Sequence, residues 1–181
     1  MDPGLRRSDK LRNWQAPLPR RLVRARRAQH QRIAAYTGSA CIDWCGHIEG
    51  EGCSIAGNML TGPEVLHETL RAYSARAELP FAERLIDAML AGEAAGGDKR
   101  GKQAAALLIY TGEDYPFLDL RVDDYTDPIV ELRRLYDKSL ERFQPFLACL
   151  AGRASPAGVT DRSIIEAEIE RFQAERNRSP R

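Results

Sequence analysis

The sequence predicts an α+β fold with mainly antiparallel strands. Three observations carry this reading. Short glycine-bounded runs with alternating side chains occupy residues 32–60. Helix starts are marked at Thr61-Gly62-Pro63-Glu64 and at Asp127-Pro128. A stripe of apolar residues at helical spacing runs from Ile129 to Phe143. The chain has 181 residues, 43% hydrophobic and 29% charged, which is the composition of a globular domain that buries a core.

Charge divides the chain. Residues 1–32 hold ten of the 27 Lys and Arg but two of the 26 Asp and Glu, so a segment of net +8 precedes a remainder of net −7. That segment contains three prolines and little periodicity, and disorder is expected of it. Three readings are open for it: a basic arm for nucleic acid or another anionic surface, an arginine-rich targeting peptide, or a segment without a function, such as a misread start. Trp14 is its one aromatic residue, so a stacking platform for single strands is not expected, and nucleic acid is the less favoured partner. The expected organisation is therefore a basic segment at 1–32, a core at 33–150, and a linker with a final helix at 151–181. No apolar run approaches the ~20 residues needed to span a bilayer, and no secretory signal is visible, so the cytosol is the expected location.

The elements follow in order. Residues 32–37 and 41–45 read as short strands, Glu49-Gly50-Glu51-Gly52 as a hairpin turn, and Cys53–Leu60 as a third strand, together an antiparallel meander. The Thr61-to-Glu64 spacing is that of a capping box, and Val65, Leu66, Thr69, Leu70 and Tyr73 form one helical face. A second helix starts at Leu79-Pro80 with Phe81, Leu85, Ile86, Met89 and Leu90 inward, and Gly92 is placed to end it. Residues 104–110 read as a buried strand, with 117–122 as its antiparallel partner. Asp127 caps a helix whose stripe is Ile129, Leu132, Leu135, Tyr136, Leu140 and Phe143, stopped by Pro145. Thr160 or Asp161 caps the last helix, with Ile165, Ile169 and Phe172 on one side and Glu166, Glu168 and Glu170 as a solvated face.

Candidate chemistry centres on Gly96-Gly97-Asp98-Lys99-Arg100-Gly101-Lys102-Gln103. It fits the G-x4-G-K pattern of a phosphate loop, but Gln103 stands where magnesium needs Ser or Thr. The order is also helix then strand, the reverse of what a phosphate loop requires. Asp98, Arg100 and Gln103 remain as polar groups at the entrance of a central strand, or as solvated loop charges. Asn58 either donates into an oxyanion hole or serves turn chemistry. Asp123 and Asp124 form a cation site or an orienting carboxylate, or reflect the acidic preference of helix starts. Cys41, Cys45, His47 and Cys53 do not fit a zinc spacing. In a strand, Cys41 and Cys45 would lie ~13 Å apart at ~3.3 Å per residue, so reduced, hydrophobe-like cysteines are expected and no metal is assigned. No cofactor is implied.

Three blocks, TGSACIDWCGHIEGEGCSIAGNMLTGPEVL (37–66), AERLIDAMLAGEAAGGDKRGKQAAALLIY (82–110) and DLRVDDYTDPIVELRRLY (119–136), resemble the bacterial and archaeal family called domain of unknown function 1028. The resemblance runs from about Arg32 to Leu150 and on into the last helix, and leaves residues 1–32 as a segment outside the family. It implies an N-terminal-nucleophile (Ntn) hydrolase-like α/β/β/α sandwich, with a small-molecule or peptide-like amide as the family's substrate. It makes Asn58, Asp98, Arg100, Gln103, Asp123 and Asp124 candidate residues of a site wall. In that class the nucleophile is a terminal Thr, Ser or Cys whose own amine is the base. Met1-Asp2-Pro3 offers none, so no catalytic residue is assigned. The expectation is an incomplete, N-terminally truncated and inactive copy. The alternatives are the basic-armed binding protein and a non-catalytic structural protein that assembles through the sandwich into an oligomer.

Overall fold

The structure, a computed structural model, describes residues 33–178. The expected basic segment at 1–32 lies outside these residues. Among the described residues nine elements follow one another: β1 (Gly46–Gly50), β2 (Cys53–Gly57), α1 (Glu64–Ala75), α2 (Phe81–Ala94), β3 (Ala105–Ile109), β4 (Leu118–Val122), α3 (Pro128–Ser139), α4 (Phe143–Leu147) and α5 (Arg162–Arg178). This is an α+β arrangement of helices and two small antiparallel sheets, β1–β2 and β3–β4.

Each sheet is a hairpin with one covered face. In β3–β4, Leu107 pairs with Leu120 and Ile109 with Leu118. Their inward side chains join Ile86 of α2, Leu132 and Tyr136 of α3 and Leu140 just after it in the core; Ile86, Leu118 and Leu132 are fully buried. The period of two sends Leu108 to the other face, where it is 55% exposed, and Tyr110, just past the strand end, is 59% exposed. The run 104–110 is therefore half-buried rather than buried. In β1–β2 the same alternation leaves His47, Glu49, Ser54 and Ala56 outward, while α1 packs on the other face.

The three-strand meander is corrected to a hairpin. Residues 33–37 form no strand: Ala35 N–H donates to the Glu49 carboxylate (3.0 Å), and the Thr37 hydroxyl meets His47 Nδ1 (2.6 Å). Residues 41–45 form no regular strand either, but Trp44 exchanges backbone hydrogen bonds with Leu60. The third strand stops at Gly57.

The helix ends also differ from expectation. No capping box forms at Thr61–Glu64, and no side-chain cap forms at Asp127, although Pro128 does take the first turn of α3. Gly92 lies inside α2, buried against α1, where a methyl group would overlap Thr69 Oγ1. The helix ends two residues later, at Ala94. Gly96 N–H donates to the Glu93 carbonyl and Gly97 N–H to the Gly92 carbonyl, the pair of bonds that defines a Schellman end, with Gly96 at φ +122°. Phe81 is 46% exposed, and Ala82 takes the inward position. Pro145 does not stop a helix; it is buried as the third residue of α4, where its missing N–H would have had no intrahelical partner. At α5 the Asp161 carboxylate accepts the Ser163 N–H (2.9 Å), as a cap should. The acidic face of α5 is ion-paired rather than simply solvated, Glu166 to Arg142 and Glu168 to Arg171.

Gly92→Ala sets two effects against each other. Helix propensity favours alanine by about 1 kcal/mol, while overpacking a close contact costs about 1–3 kcal/mol. Thr69 is β-branched and donates to the Val65 carbonyl (2.6 Å), so it yields poorly. Denaturant unfolding of Gly92→Ala is expected to show a net loss of about 1–2 kcal/mol, and Thr69→Ala in the same chain to recover most of it.

Candidate functional site

The loop between α2 and β3 begins at the Schellman glycines and is anchored on both sides. On one side it pairs with the segment that leaves β2. Thr61 N–H donates to the Gly97 carbonyl (3.0 Å) and Lys99 N–H to the Met59 carbonyl (2.8 Å), with Leu60 bridged to Asp98. The other edge of that segment is bound too: Met59 N–H donates to Ile42 O (3.1 Å) and Leu60 N–H to Trp44 O (2.9 Å). Met59 adopts φ +57° to make the turn into this crossing. Residues 59–61 thus form a short central rail between residues 42–44 and 97–99, with Asn58 at its start.

On the other side the loop meets the β4–α3 connection. Gln103 Nε2 donates to Asp124 Oδ1 (3.1 Å), and Tyr125 N–H donates to the Gln103 carbonyl (3.0 Å). Lys102 bridges Glu93 near the end of α2 (3.3 Å) and Asp127 before α3 (3.1 Å). Its ammonium pKa is raised, chiefly by the hydrogen bond to Asp127. Sequence reasoning treated Lys102 only as the end of a phosphate-loop pattern. Its tie to two helix ends is a tertiary contact that no local spacing encodes.

The six predicted residues therefore divide. Asp98 and Arg100 form a closed fork, with Arg100 Nε to Asp98 Oδ1 (2.9 Å), Nη2 to Oδ2 (2.5 Å) and the Arg100 N–H to Oδ1 (2.8 Å). These bonds to Arg100 lower the Asp98 pKa to about 2, so this carboxylate is a poor proton acceptor near neutrality and an aligned, permanently charged acceptor instead. Gln103 and Asp124 pair with each other. Asp123 turns to Arg121 (2.8 Å) on the exposed surface and does not join them. Asn58 is exposed, and its amide makes no hydrogen bond among the described residues, so its donors are open to an incoming group, as is Nη1 of the exposed Arg100. Among the described residues, no three His, Cys, Asp or Glu side chains gather closely enough to hold a metal ion. Cys45 contacts Asp43 (3.9 Å), and burial is the main cause that raises its thiol pKa.

Comparison with known proteins assigns the class. Residues 11–132 match the model of the family of unknown function DUF1028, and the chain belongs to that family. The match opens inside the arginine-rich segment, upstream of the boundary at Arg32 that the sequence suggests. A particular relative of known structure is the DUF1028 protein SPO2555 from Silicibacter pomeroyi. It is 32% identical, with a TM-score of 0.62, over 71% of this chain and 55% of its own. The chain thus spans about half the length of that relative. No curated protein matches. No helix among the described residues is long and apolar enough to cross a membrane.

The fork sets a pH signature. A depressed carboxylate pKa contributes stability that is fully present above the unfolded value of about 3.9 and is lost as pH falls toward the folded value. Carbon-detected NMR titration should place the Asp98 midpoint about 2, and Arg100→Met should return it toward the ordinary carboxylate range. An Asp98 midpoint that does not move in Arg100→Met would show that the fork is not formed in solution.

Proposed function

We propose that this chain supplies helix-backed hairpins of an Ntn-hydrolase-like α/β/β/α sandwich, and that longer members of the family hydrolyse amide bonds in a cleft bordered by Asn58 and the Asp98–Arg100 fork. One observation carries the reading. The β3–β4 hairpin is covered by helices on one face and uncovered on the other, where the exposed Leu108 and Tyr110 stand on the same side as Asp119 and Arg121. A sheet with helices on one side and apolar groups on the other is the outer half of a layered sandwich, whose inner faces meet at ~10 Å. A second sheet over that face is the arrangement that would bury these side chains.

In this reading each candidate residue has a task suited to its geometry. Asn58 offers an amide donor toward the oxyanion that forms when a carbonyl is attacked. The Asp98–Arg100 fork presents a fixed ion pair beside it and orients the backbone of the loop. Gln103–Asp124 and Lys102 hold that loop against the start of α3. The nucleophile of this class is a terminal Thr, Ser or Cys, and the proposal assigns it to the part of the longer relatives that this chain does not span. The residues of this chain then supply a wall of the cleft.

The test compares this chain with a full-length relative against a panel of N-acyl amino acids and short peptides, with released primary amine read by fluorescamine. The relative is expected to release amine, and this chain none. Substituting the relative's terminal nucleophile should abolish release, and alanine at its counterpart of Asn58 should lower kcat by about a hundredfold, the usual loss for one oxyanion donor. Release that survives removal of the terminal nucleophile contradicts the proposal, as does a relative that releases no amine from any member of the panel.

A further inference from the structure

We infer that the groove between α4 and α5 binds a small amphipathic monoanion, a carboxylate carried on an apolar body. The cavity measures about 530 Å³, within the range of roughly 300–1,000 Å³ typical of small-molecule sites. It lies in the chain's last third, away from the loop that carries the Asp98–Arg100 fork, and nothing in the hydrolytic reading uses it.

Its lining has two chemistries. Phe146, Ile165 and the buried Ile169 make an apolar floor. Arg142, Arg162 and Glu166 stand among the lining side chains as the charged groups. Arg142 reaches across from the start of α4 to Glu166 of α5 in a two-bond fork, Nη1 to Oε2 (3.0 Å) and Nη2 to Oε1 (2.7 Å). That fork lowers the Glu166 pKa, so the carboxylate stays ionised and neutralises one guanidinium. Arg162, exposed at the first position of α5, is the second. Among the lining side chains two guanidiniums against one carboxylate leave one positive charge in excess, the neighbouring Asp161 being turned to Ser163 outside the lining. A single negative charge balances it, whereas a phosphate dianion would overshoot.

An apolar floor rewards a ligand with a hydrocarbon or aromatic body. A guanidinium with donors facing outward rewards a carboxylate, which it binds in a planar fork. Both demands in one groove select an amphiphile of the arylalkanoate or branched alkanoate kind. An inorganic anion would leave the floor wet, and a neutral hydrocarbon would leave the excess charge unused.

The test titrates 4-phenylbutyrate into the full chain labelled with nitrogen-15, following amide shifts of residues 142–146 and 160–169. The shifts are expected to saturate and to be confined to those two segments. The uncharged 4-phenylbutanol, and 4-phenylbutyrate with Arg162→Gln, should each bind about tenfold more weakly, the loss of one charge-assisted hydrogen bond. Arg162 is exposed, so its substitution leaves the fold intact, and Arg71→Gln on the surface of α1 serves as a control that should not change binding. The inference is overturned if no saturable shift arises at millimolar ligand, or if the alcohol or the Arg162→Gln chain binds as tightly as the parent pair.

Discussion

The structure depends on a three-residue crossing. Met59, Leu60 and Thr61 leave the first hairpin and are hydrogen-bonded along both edges, to Ile42 and Trp44 on one side and to Gly97 and Lys99 on the other. Without it, the β1–β2 hairpin would be held to the rest by its packing on α1. With it, the loop after α2 is fixed in height and direction, and Asn58 is fixed beside that loop. The crossing exists because two backbone conditions are met at once. Met59 accepts a left-handed conformation at φ +57°, and Gly96 turns the chain back at φ +122° where a methyl group would overlap Thr61 Oγ1. Neither condition is an apolar contact, and both are local costs offset by the hydrogen bonds they permit.

From that constraint the rest of the site takes its character. The loop is tied by backbone bonds at one end and by Lys102 and Gln103 at the other, so its charged side chains are oriented rather than free. In the loop Asp98 is held by Arg100, and Lys102 by Glu93 and Asp127 on its two sides. What remains open to a ligand is the amide of Asn58, with Nη1 of Arg100 and the exposed Lys99 nearby in the sequence of the loop. A site built this way is suited to stabilising charge that develops on a substrate and poorly suited to taking a proton. That agrees with a wall that needs a nucleophile and base from elsewhere in the fold. The uncovered face of β3–β4 says the same in packing terms, since Leu108 and Tyr110 gain nothing from solvent.

The helices were legible because their faces repeat every three or four residues. Val65 and Leu66 in α1, Ile86 in α2, Leu132 and Tyr136 in α3 and Ile169 in α5 are buried as their spacing predicts. The β3–β4 pair was legible for the analogous reason at a period of two. What failed was anything decided by tertiary partners. Residues 41–45 have strand-like composition, but their partner is a crossing that enters from residues 59–61, and no hairpin turn announces it. Gly92 reads locally as a helix end; only the approach of Thr69 from α1 explains a glycine in mid-helix. Pro145 reads as a stop, yet in the first turn of a new helix its lost N–H costs nothing. At the site, the residue types were readable and their pairing was not. Asp98 and Arg100 are two apart in sequence and could be guessed as a pair, whereas Gln103 with Asp124 joins positions separated by a whole hairpin.

The central claim is that residues 59–61 form a hydrogen-bonded rail that holds the candidate site together, and amide hydrogen exchange tests it most directly. The N–H groups of Leu60, Thr61 and Lys99 should be protected to a similar degree, although they lie outside any regular strand. Their protection should fall together when Gly96 is replaced by alanine, while β3 and β4 amides keep theirs. Exchange of those three groups at the rate of free loops in the parent chain would contradict the account.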